Sequence, residues 1–380
     1  MKTLADIPKA DLKDKKILMR VDFNFPLQGG GIGDDFRIRS HIETIDHLSD
    51  SGAKVVLISH ISKSSKYQSF AEFTDGIGKI LSKELYFGGE ELKGCARLLD
   101  EHDLVLMDNV RKHKEEIEND DGFAGGVAHG FDMFVNDAFA VSHRKHALLV
   151  AITKHLPSYA GFVIEREVAM LKKAIDAPRD SKTLVLGGAK IRTKIPVIKN
   201  FIDNAEDMLI GGALVYDFLR YKGLEAGKIP VEGKDMDIVG EIDNSVVNLP
   251  RDLVTSLERD GSTPAEIHLY DDVPPDHMVL DIGPETSAHF AEIIEHSKVV
   301  IWNGPMGLSE IDKFAQGTKR IAEAVAKAGT AFIGGGDTIN AVDDLGLLDK
   351  IEYVSTGGGA MLAFLGNEKM PALEALGYYD

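Results

Sequence analysis

Lys190 directly follows Gly187-Gly188-Ala189, and Lys194 comes one helical turn later. That spacing puts both ammonium groups on one helix face, where they could meet phosphates arriving at the helix start. The plain alternative is a solvated basic face, and the adjoining glycine turn weighs against it. Glycines close four short apolar runs in the second half: Gly187-Gly188 after TLVL, Gly211-Gly212 after MLI, Gly334–Gly336 after FI, and Gly357–Gly359 after VST. Glycine lets backbone N–H groups approach phosphate oxygens, and a following helix adds a favourable dipole. One such turn is ordinary; four in one half point to phosphate or nucleotide. None fits G-x-x-x-x-G-K-[ST], and G-x-G-x-x-G is absent. Asp337 and Thr338 follow the third glycine run. A carboxylate there repels phosphate unless a cation intervenes, and Mg²⁺ suits that place because it takes few protein ligands and several phosphate or water oxygens. A helix N-cap is the other role open to Asp337. Asn303 and Pro305 lie in the turn WNGP, with Glu310 just beyond. Glu310 could accept hydrogen bonds from ribose hydroxyls or be a plain surface acid.

The first half offers different chemistry. Asp22 and Asn24 follow an apolar run, and Arg37, His60, Arg111, His143 and Arg144 lie in polar segments after or between such runs. Arginine suits bidentate recognition of phosphate and carboxylate, so several at successive strand ends form an anion pocket. His143 and His146 could suggest zinc, but no third and fourth ligands stand beside them in the sequence.

Such residues need rigid elements to carry them. Continuous apolar runs predict strands at Lys16–Val21, Lys54–Ser59, Leu104–Met107 and Met133–Asn136, then at Thr183–Leu186, Met208–Ile210, Met278–Asp281, Lys298–Trp302, Thr330–Ile333 and Tyr353–Ser355. Runs without alternation suit strands covered on both faces, and alternation with helices suggests parallel βαβ units. Helical registers appear in Arg37–Ser49 and Asp312–Ala328. The stretch AGFVIEREVAMLKKAIDAP reads as an amphipathic helix ending before Pro178, a link between two lobes. A chain of 380 residues exceeds one ordinary core. The net charge of −18 is uneven, −4 over residues 1–162 and −14 beyond. That excess argues against general nucleic-acid binding but leaves room for a local basic pocket. One cysteine, Cys95, a start without a signal-peptide core and no membrane-length apolar run make a cytoplasmic protein the expectation.

Taken together, the segments RVDFNFPL, DDFRIRSHIETI, DNVRKHKEE, VNDAFAVSHRKH, AGFVIEREV, LGGAKIRTKI, MLIGGALVYDFL, LDIGPET, WNGPMG, FIGGGDT and VSTGGGA resemble the phosphoglycerate kinase family along nearly the whole chain, in the family's order. The resemblance implies an α/β fold of two Rossmann-like lobes with parallel sheets joined by a hinge helix. Residues 1–162 would hold phosphoglycerate, 163–179 form the interdomain helix, 180–360 hold Mg-nucleotide, and 361–380 return to the first lobe. It also implies acid-substrate contacts at Asp22, Asn24, Arg37, His60, Arg111 and Arg144. Nucleotide contacts would come from Gly188, Lys190, Lys194, Gly212, Asn303, Pro305, Glu310, Gly336, Asp337 and Thr338. Asp337 would contact the nucleotide-bound Mg²⁺, and Arg37, Lys190 and Lys194 would serve catalysis. The expected reaction is reversible transfer between 1,3-bisphosphoglycerate plus ADP and 3-phosphoglycerate plus ATP, a step of glycolysis or gluconeogenesis. The expected partners are these small molecules, with no nucleic acid or membrane, and the expected state is a monomer.

One segment departs from the family. Where His-Leu-Gly-Arg-Pro is typical, this chain reads His60-Ile61-Ser62-Lys63-Ser64. Lys63 supplies charge without the guanidinium's bidentate fork, and the loop loses its proline. Two rivals therefore stand beside the main reading: a same-fold kinase of another phosphorylated carboxylate, and a nucleotide-binding protein without turnover. Retention of Arg37, Arg111, Arg144 and both lysines argues against the second.

Overall fold

Apolar β-branched and leucine-rich runs dictate the framework. The computed structural model describes residues 1–63, 66–189, 191–224, 227–228, 239 and 246–380, with the backbone alone at 62–63 and 66–67. The chain divides into two compact units, Met1–Ala169 with Lys369–Asp380, and Met170–Glu368. The division falls inside one helix, Phe162–Asp176. Met361–Glu368 belong to the second unit, so the change back to the first comes at Lys369.

In the first unit, β1 (Lys16–Arg20), β2 (Lys54–Ile58), β3 (Tyr86–Gly89), β4 (Leu104–Met107), β5 (Met133–Asn136) and β6 (Ser158–Ala160) form one sheet ordered 6-5-1-2-4-3. All its pairings are parallel. Alternate residues of β1 feed cores on opposite faces: Ile17 and Met19 on one, Leu18 on the other. The order reverses direction at β1, so a crevice opens beyond the carboxyl ends of β1 and β5.

The second unit repeats the plan. Its main sheet contains β7 (Lys182–Leu186), β8 (Asp207–Ile210), β9 (Val247–Asn248), β13 (Val299–Asn303), β14 (Thr330–Gly334) and β15 (Tyr353–Ser355), ordered 9-8-7-13-14-15 and parallel throughout. This is the Rossmann order, with its switch point between β7 and β13. A separate three-stranded sheet of β10 (Asp252–Ser256), β11 (Glu266–Leu269) and β12 (Met278–Ile282) is antiparallel, with β10 central. Met278–Asp281 was expected in a parallel unit and is corrected here. Its apolar run is also compatible with an antiparallel strand, and period alone does not distinguish the two.

Two helical expectations also change in detail. Arg37–Ser49 is two helices, Phe36–Ser40 and Ile42–Asp50, meeting at His41. Asp312–Ala328 is a 3-10 turn, Asp312–Phe314, followed by the helix Gln316–Val325. The helix Phe162–Asp176 buries Val163, Ile164, Val168 and Leu171 and stops before Pro178. Its end is capped from the second unit's first strand, where the fully buried Lys182 donates Nζ to the Ile175 carbonyl at 2.5 Å. Burial pushes that lysine down to about 8. Among the described residues, no helix is long and apolar enough to cross a membrane.

Candidate functional site

Asp22 leaves β1 two residues after its last strand position and is almost fully buried. Its Oδ2 accepts from Arg37 Nη1 at 2.8 Å, and the same guanidinium nitrogen donates to the Asn24 carbonyl at 3.2 Å. Burial works against the Asp22 charge, but Arg37, with the Asn24 N–H that Asp22 Oδ1 accepts, holds its carboxyl below the ordinary range. The Asp22 backbone N–H donates to His41 Nε2 at 2.9 Å. That nitrogen is therefore an acceptor, so Nδ1 carries the proton and donates to Asp137 Oδ2 at 2.7 Å. Asp137 in turn accepts the Val163 N–H, tying the end of β5 to the helix start. Neither His41 nor Asp137 was singled out from the sequence. The signal available was His41 standing four residues after Arg37, one helical turn away.

Arg111 follows Asn109, whose side chain accepts the Arg111 backbone N–H at 3.1 Å and donates to the Ile61 and Gln68 carbonyls. Burial and the neighbouring Arg20 and Arg144 lower the Arg111 pKa, while Asp22 and Glu116 oppose that shift. Arg144 itself is exposed. The cluster contains buried nitrogens without hydrogen-bond partners among the described residues: Arg20 Nε and Nη2, Arg111 Nε, and Nδ1 of His60, His143 and His146. Unsatisfied buried polar groups are costly, and the arginine donors among these are of the kind that suits an anion. Of the residues expected here, Asp22, Asn24, Arg37, His60, Arg111 and Arg144 are described, whereas the Lys63 side chain lies outside the described residues.

Burial, aided by nearby arginines, pushes His60 down to about 3 and His143 and His146 to about 4. In the unfolded chain they titrate near the ordinary histidine value, so the unfolded state takes up protons first as pH falls. Their stabilising effect is complete above about 6.5 and is lost progressively toward 4, at up to about 1.4 kcal/mol per pH unit for each group. His60 approaches that limit; His143 and His146, more open to water, fall short of it. Asp281 has the opposite sign: burial pushes its carboxyl up to about 7, so its contribution falls as pH rises through 7. Segment-resolved hydrogen exchange at pH 7 and pH 5.5 separates the two, and protection of β1 is expected to drop at pH 5.5. Unchanged protection there would mean these imidazoles are not held neutral.

In the second unit, the loops after β7, β8 and β13 are laced together by backbone. Gly188 N–H donates to the Pro305 carbonyl at 2.8 Å and Gly212 N–H to that of Met306 at 2.7 Å. Gly212 has φ +61°, and a Cβ there would stand 2.5 Å from Gly188 N and 2.9 Å from the Pro305 oxygen, so only glycine fits. Thr338 Oγ1 accepts the Gly304 N–H at 2.8 Å, and Asn303 Nδ2 donates to the Gly334 carbonyl at 2.7 Å. These two residues lock the turns to each other. The laced loops border a cavity of ≈ 390 Å³. Gly188, Gly212, Pro305, Glu310 and Asp337 line it; Lys194, Asn303, Gly336 and Thr338 are not among its lining residues, and Lys190 lies outside the described residues. Tyr216, Arg259 and the β12 residues Met278–Asp281 line it too, and sequence reasoning missed them as site residues. The size suits a nucleotide-scale ligand.

Asp337 is the second residue of the helix Gly336–Asp343, exposed, and without a hydrogen-bond or ion-pair partner among the described residues. One carboxylate at the rim of a glycine-bordered cavity fits magnesium, which prefers one or two carboxylates plus phosphate and water oxygens.

Comparison with known proteins shows the family. The family model described as "Phosphoglycerate kinase" matches residues 7–368. The chain belongs to the phosphoglycerate kinase family. A phosphoglycerate kinase of Dictyoglomus turgidum is 40% identical, covering 99% of this chain and 98% of its own length. One of Coprothermobacter proteolyticus is 40% identical over 98% of each. The solved phosphoglycerate kinase of Coxiella burnetii superposes with a TM-score of 0.82 at 31% identity, covering 99% of both chains. That of Pyrococcus horikoshii gives 0.87 at 28%, covering 99% of this chain and 98% of its own. As a phosphoglycerate kinase family member, the chain is a phosphotransferase with a carboxyl group as acceptor and acts on a nucleotide substrate.

Proposed function

We propose that this chain transfers a phosphoryl group reversibly between 1,3-bisphosphoglycerate with ADP and 3-phosphoglycerate with ATP, the first unit holding the acid and the second the nucleotide. The observation that carries the assignment of the acid is the cluster of buried nitrogens on Arg20, Arg111 and three histidines that have no hydrogen-bond partner among the described residues. Arg37, Arg111 and Arg144 meet its phosphate and carboxylate, and Asp22, itself held by Arg37, orients that guanidinium. Asn24 and His60 complete the contacts, with Lys63 at the family's arginine position.

The nucleotide phosphates lie along the Gly188 and Gly212 turns, whose glycine N–H groups are already bonded to carbonyls, and Lys190 holds those phosphates. Glu310 takes the ribose hydroxyls. Asn303, Pro305, Gly336 and Thr338 shape the turns that carry these groups. Asp337 holds the magnesium that accompanies the nucleotide and, when bound, neutralises phosphate charge. No covalent enzyme intermediate is required; Arg37 and Lys194 stabilise charge developing on the transferring group. The reading includes a monomer in the cytoplasm, consistent with a single buried cysteine, and light scattering coupled to gel filtration tests the monomer.

A coupled assay with 3-phosphoglycerate and Mg-ATP tests the whole. Turnover that saturates in both substrates is expected; nucleotide binding without turnover would favour the non-catalytic reading. The loop His60–Ser64 supports one rival, a kinase of another phosphorylated carboxylate, and supplies a second test. An ammonium reaches one oxygen where a guanidinium bridges two, and a charge-assisted hydrogen bond is worth about 1.5–3 kcal/mol. Lys63→Arg with Ser62→Gly and Ser64→Pro should therefore lower KM for 3-phosphoglycerate about tenfold and leave that for ATP unchanged. A folded triple variant that loses activity on 3-phosphoglycerate would instead favour the rival acid.

A further inference from the structure

We propose that Glu266, His268 and His277 form a binding site for a zinc-type divalent transition-metal ion, separate from the magnesium that accompanies the nucleotide. All three belong to the antiparallel sheet region of the second unit. Glu266 and His268 are two residues apart on β11 and so share a face; His277 immediately precedes β12. One ligand atom from each lies within 4.8 Å of the others. His268 Nε2 is 3.4 Å from Glu266 Oε2, is buried, and has no hydrogen-bond partner among the described residues. The His277 ring stands edge-on to His268, with centroids 5.5 Å apart and planes at 87°.

The third strand supplies an orienting contact. Thr255, fully buried on central β10, pairs across the ladder with Glu266 on one side and Val279 on the other. Its Oγ1 lies 2.9 Å from His277 Nδ1. With Nδ1–H donating to that hydroxyl, Nε2 keeps the lone pair that a metal needs, and the ring is fixed in orientation. His277 is only 7% exposed, so this imidazole is well shielded from competing water.

The donor set decides the class of ion. Two imidazoles and one carboxylate suit zinc, cobalt or nickel, whereas magnesium prefers all-oxygen surroundings. Bonds of about 2.0–2.1 Å in a tetrahedron put ligand atoms about 3.4 Å apart. The His268–Glu266 pair already has that separation. The remaining gap to the fixed His277 ring, at most about 1.5 Å, falls to rotation of His268 and of the exposed Glu266. Its exposure leaves a coordination position facing water. A bound ion would clasp β11 to β12 across β10, and β12 carries Met278–Asp281 to the cavity wall.

Cobalt(II) is the probe, added to the full chain after chelator treatment. One cobalt per chain is expected, with the visible absorption of a tetrahedral or five-coordinate centre, displaced by one equivalent of zinc. Loss of a direct ligand should weaken binding at least as much as loss of an orienting partner, about 10–100-fold, in His268→Ala, His277→Ala and Glu266→Gln alike. Glu266 lies on the exposed side, so Glu266→Gln should melt like the parent without metal and keeps the test valid if a histidine variant fails to fold. Thr255→Val should weaken binding by about tenfold. Cobalt uptake undiminished in folded Glu266→Gln and His268→Ala, or no uptake at submillimolar cobalt, overturns the site.

Discussion

Replacing Glu116 with alanine is expected to destabilise the first unit by about 3–5 kcal/mol, because it strands a buried guanidinium. Glu116 and Arg20 are both fully buried, and Arg20 Nη1 donates to Glu116 Oε1 at 2.9 Å. The other carboxylate oxygen accepts the Leu148 N–H at 2.7 Å. Among the described residues Arg20 has no further hydrogen-bond partner for Nε or Nη2, so the loss of Glu116 leaves its charge without compensation in the core. Removing both charges is a different matter: a buried pair replaced by apolar groups of similar volume is often neutral or stabilising. Arg20→Met with Glu116→Leu should therefore recover most of what Glu116→Ala loses. Urea denaturation followed by circular dichroism, with hydrogen exchange on β1 to localise the effect, reads both. If Glu116→Ala costs less than about 1 kcal/mol, the guanidinium reaches water or another acceptor and the core is less closed than its burial implies. If single and double variants fall equally, packing dominates over charge.

Such a pair shows what the sequence can and cannot reveal. The main strands were legible wherever a continuous apolar run was long enough: β1, β2, β4, β5, β7 and β14 lie within a residue or two of their expected limits. β3 and β6 were missed, as were β9, β10 and β11. β3 is YFGG, with an exposed tyrosine and two glycines, and β6 has three residues at the other edge of the sheet, so neither has the pattern of a covered strand. The glycine turns were legible because their spacing follows the strand ends. The cavity wall from Tyr216 and β12 was not, since only the fold brings those residues beside Gly188. Arg20 and Glu116 lie 96 positions apart, as do His41 and Asp137, and nothing local in either partner names the other. Single residues of evident chemistry were readable; the contacts that fix their protonation and direction were not.

Lys194→Ala is expected to lower kcat by about 10²–10³-fold while changing nucleotide affinity little. Lys194 precedes the helix Ile195–Phe201 and is only 6% exposed. Its Nζ lies 3.5 Å from the position a Cβ on Gly188 would take, beside the turn that borders the cavity. From there its positive charge is placed to meet negative charge arriving at that turn, and in a site largely closed to water the attraction is weakly screened. The charge that grows most during reaction is on the transferring phosphoryl group, so the amine contributes more in the transition state than in the nucleotide complex. A lysine used only for ground-state binding would behave otherwise: its loss would raise the nucleotide Kd and leave kcat nearly intact. Calorimetric titration of Mg-ADP, set beside steady-state kinetics of the same variant, distinguishes these outcomes. A thermal melt confirms the fold, since a near-buried side chain has been shortened. A folded variant with a tenfold weaker Kd and unchanged kcat would move Lys194 from the transferring group to the resting nucleotide phosphates, leaving Arg37 as the chain's assigned cation for the reacting centre.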